Sequence, residues 1–296
     1  MDLRQLNYFL TVADELNITR ASKKLNISQP PLSRALMDLE DELGCTLVIR
    51  GKRKLSLTPE GMALKRRAMQ ITELTDMTKS EISAMKSGIS GTLHFGLVDS
   101  NGPSLAAEWM AEFKKEYPNV TYNLWSGNGD DLTDRLREGL LDIAITMSPF
   151  NSEILDGFKV FEENWVAIIP KEHKLSKGKS KGLRIEALAG AELIIPSRHS
   201  RSSEIHDWFS SDGEPPRFIA EIAHSSNAIQ LVARGIGIAI FPASVAKNVS
   251  ADTDVVIKDL IPTVDVSYLL SWDKERSLGV LASRFVEFVK ERYEVG

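Results

Sequence analysis

The chain of 296 residues contains one cysteine, Cys45. That excludes an internal disulfide framework and fits a reducing compartment. Beside Leu43 and Leu47, the thiol reads as ordinary packing rather than as a redox sensor. No apolar run approaches the length that spans a bilayer, and the segment opening Met1-Asp2-Leu3-Arg4 is amphipathic, without a signal-peptide core. The expectation is a cytoplasmic protein with no membrane partner. The sequence also lacks His/Cys metal spacing, a Gly-x-Ser-x-Gly elbow and a phosphate-binding lysine loop. His206 and Asp207 lie near Ser203 on one helix, where the three cannot converge as a triad. Gly235-Ile236-Gly237 has no third glycine and reads as a tight turn. No catalytic residue, metal or cofactor is expected.

What is present is an uneven charge. The net charge of −5 divides into 14 basic against 11 acidic residues over 1–90, and 22 against 30 beyond. Within 50–67, Arg50, Lys52, Arg53, Lys54, Lys65, Arg66 and Arg67 face only Glu60. Such a concentration suits phosphate binding, or else is simply a solvated basic face.

Apolar spacing places a helix over 2–16 and a short one over 20–25 capped by Thr19. A third helix is capped by Ser28, carries Pro30 and Pro31 in its first turn and stops at Gly44. Leu32, Leu36, Leu39 and Leu43 share one face of it. The opposite face presents Gln29, Pro30, Ser33, Arg34 and Met37, side chains able to read base edges or grip phosphate. Short strands at 47–49 and 54–57 flank a basic hairpin tip at Arg50-Gly51-Lys52-Arg53, a wing. The DNA-reading candidates are therefore Gln29, Pro30, Ser33, Arg34, Arg50, Lys52 and Arg53, with double-stranded DNA as partner. Thr58-Pro59-Glu60 opens a helix reaching to about 86. Leu64, Ala68, Ile71 and Ile82 lie on its heptad seam, which serves either dimerisation or packing against the chain's own N-terminal domain. After a small-residue linker at 88–91, strands alternate with helices to the C-terminus, as in an α/β unit with a largely parallel sheet.

The N-terminal stretches resemble the LysR-type transcriptional regulators. The resemblance rests on Ile18-Thr19-Arg20-Ala21-Ser22-Lys23-Lys24-Leu25, on Ser28-Gln29-Pro30-Pro31-Leu32-Ser33-Arg34, and on Leu57-Thr58-Pro59-Glu60-Gly61. It is dense over 1–65 and looser but collinear beyond. Val48 departs from it, standing where the family usually has phenylalanine.

The resemblance implies an α+β multidomain chain. It would comprise a winged helix-turn-helix at 1–58, a linker and dimerisation helix at 59–90, and a two-lobed effector-binding α/β domain at 91–296. That domain would be like periplasmic solute-binding proteins of type 2, with lobe I at 91–162 plus 268–296 and lobe II at 163–267. The resemblance also implies dyad-symmetric DNA sites, a homodimer and a homotetramer built as a dimer of dimers. RNA polymerase is carried as a further partner of such a regulator. Positions matching Ser100, Asn128, Thr146, Ser197 and Arg198 line the cleft between lobes in that family, and Asn101 adjoins them. Strand-end hydroxyls and amides with one cation suit a small organic anion, although the same residues are common helix caps. Two rival readings are a solute-binding protein and a nucleoid DNA-binding protein without ligand control.

Overall fold

Capping chemistry sets the helices of the N-terminal segment. In α1 (Leu3–Glu15), Asp2 accepts from the Gln5 amide at 2.7 Å while the Gln5 side chain accepts from the Asp2 amide at 2.9 Å. Helix α2 (Ile18–Lys24) starts earlier than its sequence suggests. Its cap is Asn17, whose Oδ1 accepts from the Arg20 amide, and not Thr19. Helix α3 (Gln29–Leu43) ends at Gly44 with φ of +65°, a conformation that favours glycine. Strands β1 (Val48–Arg50) and β2 (Leu55–Leu57) pair antiparallel, Val48 opposite Leu57. Thr58 then opens α4 (Pro59–Ala84): its hydroxyl oxygen accepts from the Gly61 amide at 2.9 Å.

The computed structural model describes residues 1–51, 55–84, 89–178, 180–209, 214–250 and 252–293. It separates into two units, Met1–Ser83 and Ala84–Gly296. In the first, Leu32, Leu36 and Leu39 of α3 are buried with Phe9, Val12, Ala21 and Leu47. Each of these side chains larger than alanine contributes about 1.5–3 kcal/mol on leaving water. Leu43 departs from the expected pattern: it shares the angular face but is 41% exposed, because the last turn of α3 overhangs the core. Cys45 packs at the edge of this cluster.

In the second unit β3 (Gly91–Val98) runs parallel to both β4 (Val120–Gly127) and β5 (Ile143–Met147). Helices α5 (Gly102–Glu116) and α6 (Gly129–Arg137) connect them. Then follow β6 (Leu155–Pro170), β7 (Gly182–Arg184), β8 (Glu192–Pro196), α7 (His199–Asp207), β9 (Arg217–Ile222) and α8 (Ser225–Ala233). The chain finishes with β10 (Ile238–Pro242), β11 (Val255–Ile261), β12 (Asp265–Asp273) and α9 (Val280–Tyr293). The sheet order is β4-β3-β5-β12-β6-β10-β8-β9.

The long β6 is the hinge of this topology. Its first part pairs with β12, and its residues from Trp165 onward pair with β10. Sequence periodicity finds only the second part, because Gly157, Lys159 and Glu162 interrupt the apolar run of the first. Glu163 pairs directly with Val266, so the two segments read as crossovers are neighbours in one ladder. The Glu163 carboxylate accepts from the Tyr268 hydroxyl at 2.5 Å and from the Ser244 hydroxyl at 2.7 Å, tying β6, β12 and the turn after β10 together. Burial and this carboxylate push the Tyr268 hydroxyl far above the usual phenol range.

Candidate nucleic-acid interface and effector cleft

Burial of Leu32, Leu36 and Leu39 turns the other face of α3 to solvent. Gln29, Pro30 and Arg34 are exposed and Ser33 is half-buried. Arg34 makes no hydrogen bond or ion pair with any described residue, so its full donor fork is open. Gln29 is held in place: its side-chain amide donates to the Thr19 hydroxyl of α2. Thr19 therefore holds the Gln29 side chain instead of capping a helix.

Ser28 makes no side-chain cap to α3, and the two prolines remove two first-turn N–H groups. The first turn of α3 therefore offers few free N–H groups. No local spacing rule points to Glu40 as a wing contact. One oxygen of its carboxylate accepts from both the Leu47 and Val48 amides, at 2.7 and 3.1 Å, and fixes the wing to α3. Lys52 and Arg53 lie outside the described residues, as does the side chain of Arg50.

On α4 the seam divides. Leu64 packs against the core of the N-terminal unit and Ala68 is fully buried, whereas Ile71 and Ile82 are exposed, Ile82 at 55%. The first two thus follow the packing alternative and are covered within the chain; only the later two remain free for a partner.

The second unit carries a cleft of about 460 Å³, counting the space at its open mouth. It lies between the ends of β3, β4 and β5 and those of β8, β9 and β10. Ser100, Asn128, Ser197 and Arg198 line it together. Asn101 and Thr146 do not. Thr146 is buried and its hydroxyl bonds Ser271 at 2.8 Å; strand alternation gives the cleft Met147 in its place. Asn101 is buried immediately after Ser100, whose φ of +74° redirects the backbone.

Most polar groups of the cleft are already engaged. The Asn128 carboxamide oxygen accepts from the Asp130 and Asp131 amides as the cap of α6, and its NH₂ donates to Asp131. Arg198 reaches across the cleft. Its guanidinium donates to Asp130 Oδ1 at 3.2 Å, the Met147 carbonyl at 3.2 Å and the Pro149 carbonyl at 3.3 Å. Gly129 makes room for it, since a Cβ there would stand 2.5 Å from the Arg198 Cζ. Asp99 reaches the other way, accepting from the Ser225 amide at the start of α8 at 2.7 Å. That carboxylate is spent on a helix terminus, which relieves the repulsion that Asp99 would otherwise offer to an anion.

Sequence reasoning did not select Arg201, one turn beyond Arg198 on α7. It lines the cleft yet its side chain is only 2% exposed. Its guanidinium carbon sits 5.5 Å from the Trp165 ring centre, and Nη1 donates to Glu204 at 2.5 Å. Burial pulls its pKa down, against the upward pull of Glu204. The usable signal was its place at the start of a helix after a strand end, the logic that selected Arg198. Among the described residues there is no cluster of three or more potential metal ligands. No helix there is long and apolar enough to cross a membrane.

Comparison with known proteins matches both parts. Residues 3–62 match the model described as bacterial regulatory helix-turn-helix protein, lysR family, and residues 86–294 match the LysR substrate binding domain. Among relatives, the regulator BenM of Acinetobacter baylyi is 31% identical over 82% of this chain and 81% of its own. The Hca operon transcriptional activator HcaR of Escherichia coli is 28% identical over 99% of this chain and 98% of its own. Full-length CbnR, a LysR family regulator, superposes with a TM-score of 0.81 at 25% identity, covering 98% of this chain and 99% of that one. Its complex with target DNA gives 0.80 at the same identity and coverage. The two matches span the chain in the order that its motifs predict: it belongs to the LysR family of DNA-binding transcriptional regulators, with a helix-turn-helix ahead of an effector-binding domain, and is not an enzyme.

Proposed function

We propose that the chain acts in the cytoplasm as a sequence-specific regulator. It reads dyad-symmetric operators through α3 and its wing and answers to a small organic anion bound between the lobes at 91–162 plus 268–296 and 163–267. The observation carrying the first half is the exposed Arg34, unpaired among the described residues, beside Ser33 and the tethered Gln29, opposite three buried leucines. Gln29 suits an adenine edge and Arg34 a guanine or phosphate. A site of dyad symmetry needs two copies. The exposed Ile71 and Ile82 of α4 supply an apolar seam for a homodimer, and two dimers form the homotetramer. The likeness to CbnR, which has been seen with its target DNA, supports this docking.

For the second half, the contacts of Arg198 and Asp99 bridge the two lobes. A ligand that replaces or reinforces them shifts the opening of the lobes, and through subunit packing the spacing of the DNA-bound heads. RNA polymerase is the partner that reads the result. A genome-wide map of bound sites, with and without Arg34→Ala, tests the reading. It requires discrete palindromic sites for the native protein and their loss in the variant. Diffuse, salt-sensitive coverage in both would favour a nucleoid protein without ligand control.

A further inference from the structure

Among the described residues that line the cleft, Arg201 has buried side-chain donors whose bonding is unfinished. Arg201 Nη1 is paired with Glu204, but Nε and Nη2 are buried without an acceptor among the described residues. These two N–H groups form one edge of the guanidinium and point in parallel. That edge matches the two oxygens of a carboxylate, whereas a lysine ammonium does not. Leaving such donors buried and unpaired is costly, so they mark a place that a ligand completes. The fork is stiffened by its Glu204 bond and by the face of Trp165, so little ordering remains to be done on binding.

The remaining cleft lining decides the rest of the ligand. Val98, Met147, Pro196, Ile222, Phe241 and Pro242 are apolar, while Asn128 and Arg198 are committed to the protein's own groups. We infer that the effector is a monocarboxylate with a compact apolar body, its carboxylate seated bidentate on Nε and Nη2 of Arg201. Arg201 is thus the specificity-determining residue of the cleft. The inference rests on reading this cleft as the effector site.

The test is calorimetric titration of the full-length protein with isobutyrate, cyclohexanecarboxylate and benzoate, each against its neutral amide. At least one carboxylate should bind, roughly tenfold or more tightly than its amide, because the amide offers the fork only one acceptor. Arg201→Lys keeps the charge and removes the fork, and should weaken that carboxylate by roughly tenfold. Ala223→Trp fills the cleft and should abolish binding. Binding lost in Ala223→Trp but intact in Arg201→Lys would overturn the seat and leave the cleft standing. Binding intact in both would remove the cleft as well.

Carboxylates that bind no better than their amides, or no binding at millimolar concentration, would overturn the ligand class. Should Arg201→Lys fail to fold, Glu204→Gln decides the seat. It lies at a half-exposed side chain, leaves the fork and deletes the competing negative charge, so it should tighten the carboxylate several-fold and leave the amide unchanged. No change there would sink the assignment of Arg201.

Discussion

The α3 face and the cleft hold their polar side chains in opposite states. On α3, Arg34 and Ser33 have no side-chain partner among the described residues, and Arg34 rests in water. In the cleft, Asn128, Arg198 and Asp99 are each bonded to protein already. The difference follows from solvent. An exposed donor is satisfied by water and can wait for a large partner at no cost, whereas a buried one must be paired or else destabilise the unit. The DNA face is therefore preformed and passive. The cleft, the buried edge of Arg201 apart, is built from internal bonds that are already made.

Substitutions that break this contrast can be ordered by expected effect. The largest concerns the scaffold beneath the DNA face. Leu36→Ala empties a buried site and should cost about 2–5 kcal/mol of stability in the N-terminal unit, seen as a lowered denaturant midpoint. A loss under 1 kcal/mol would mean that α3 is not pinned by its leucines.

Next is Arg34→Ala. Because Arg34 has no partner among the described residues, thermal stability should stay put while specific operator affinity drops by about 1–3 kcal/mol. Fluorescence anisotropy on a mapped site reads the loss, and retained sequence-specific affinity would refute the docking. Arg198→Ala inverts that pattern. It deletes the bridge to Asp130, Met147 and Pro149, so the melting midpoint should fall by about 1 kcal/mol equivalent with DNA affinity unchanged in the absence of ligand. An unmoved midpoint would show that the bridge contributes nothing in solution.

The two regions also differed in how much of them the sequence disclosed. The DNA face was legible because it obeys local rules: leucines at helical spacing, a glycine stop and prolines in a first turn all act within a few residues. Local rules erred there only at the margins, with Asn17 taking the cap assigned to Thr19 and Leu43 overhanging the core. The cleft was half legible. Strand ends marked Ser100, Asn128, Ser197 and Arg198, but the choice between Thr146 and Met147 depends on strand register, and the burial of Asn101 on a left-handed turn. Asp99 acquires its contact only from a partner far along the chain, Ser225, and Arg201, besides its local bond to Glu204, stacks on the equally distant Trp165. The first part of β6 escaped for a related reason, since its stability comes from pairing with β12, a hundred residues later.

The smallest effect is the one that tests whether the cleft gives up stability for responsiveness. Ser100 is a non-glycine residue at φ of +74°, a region that costs an L-residue roughly 1 kcal/mol against glycine. Ser100 lines the cleft, and its hydroxyl has no protein partner among the described residues, so no hydrogen bond there offsets the strain. If Ser100 is kept for what it binds, relieving the strain should separate stability from ligand response. Ser100→Gly should therefore raise the melting midpoint of the C-terminal unit by roughly 2–4 °C, the shift that 1 kcal/mol produces in a domain of this size. The same variant should respond more weakly to whichever carboxylate the native protein binds, with DNA affinity unaltered. A higher midpoint with an undiminished ligand response would assign the strain at Ser100 to folding history and not to recognition. A lower midpoint would show that the hydroxyl is structural after all, and that in the cleft, unlike on α3, even the side chains without visible partners belong to the scaffold.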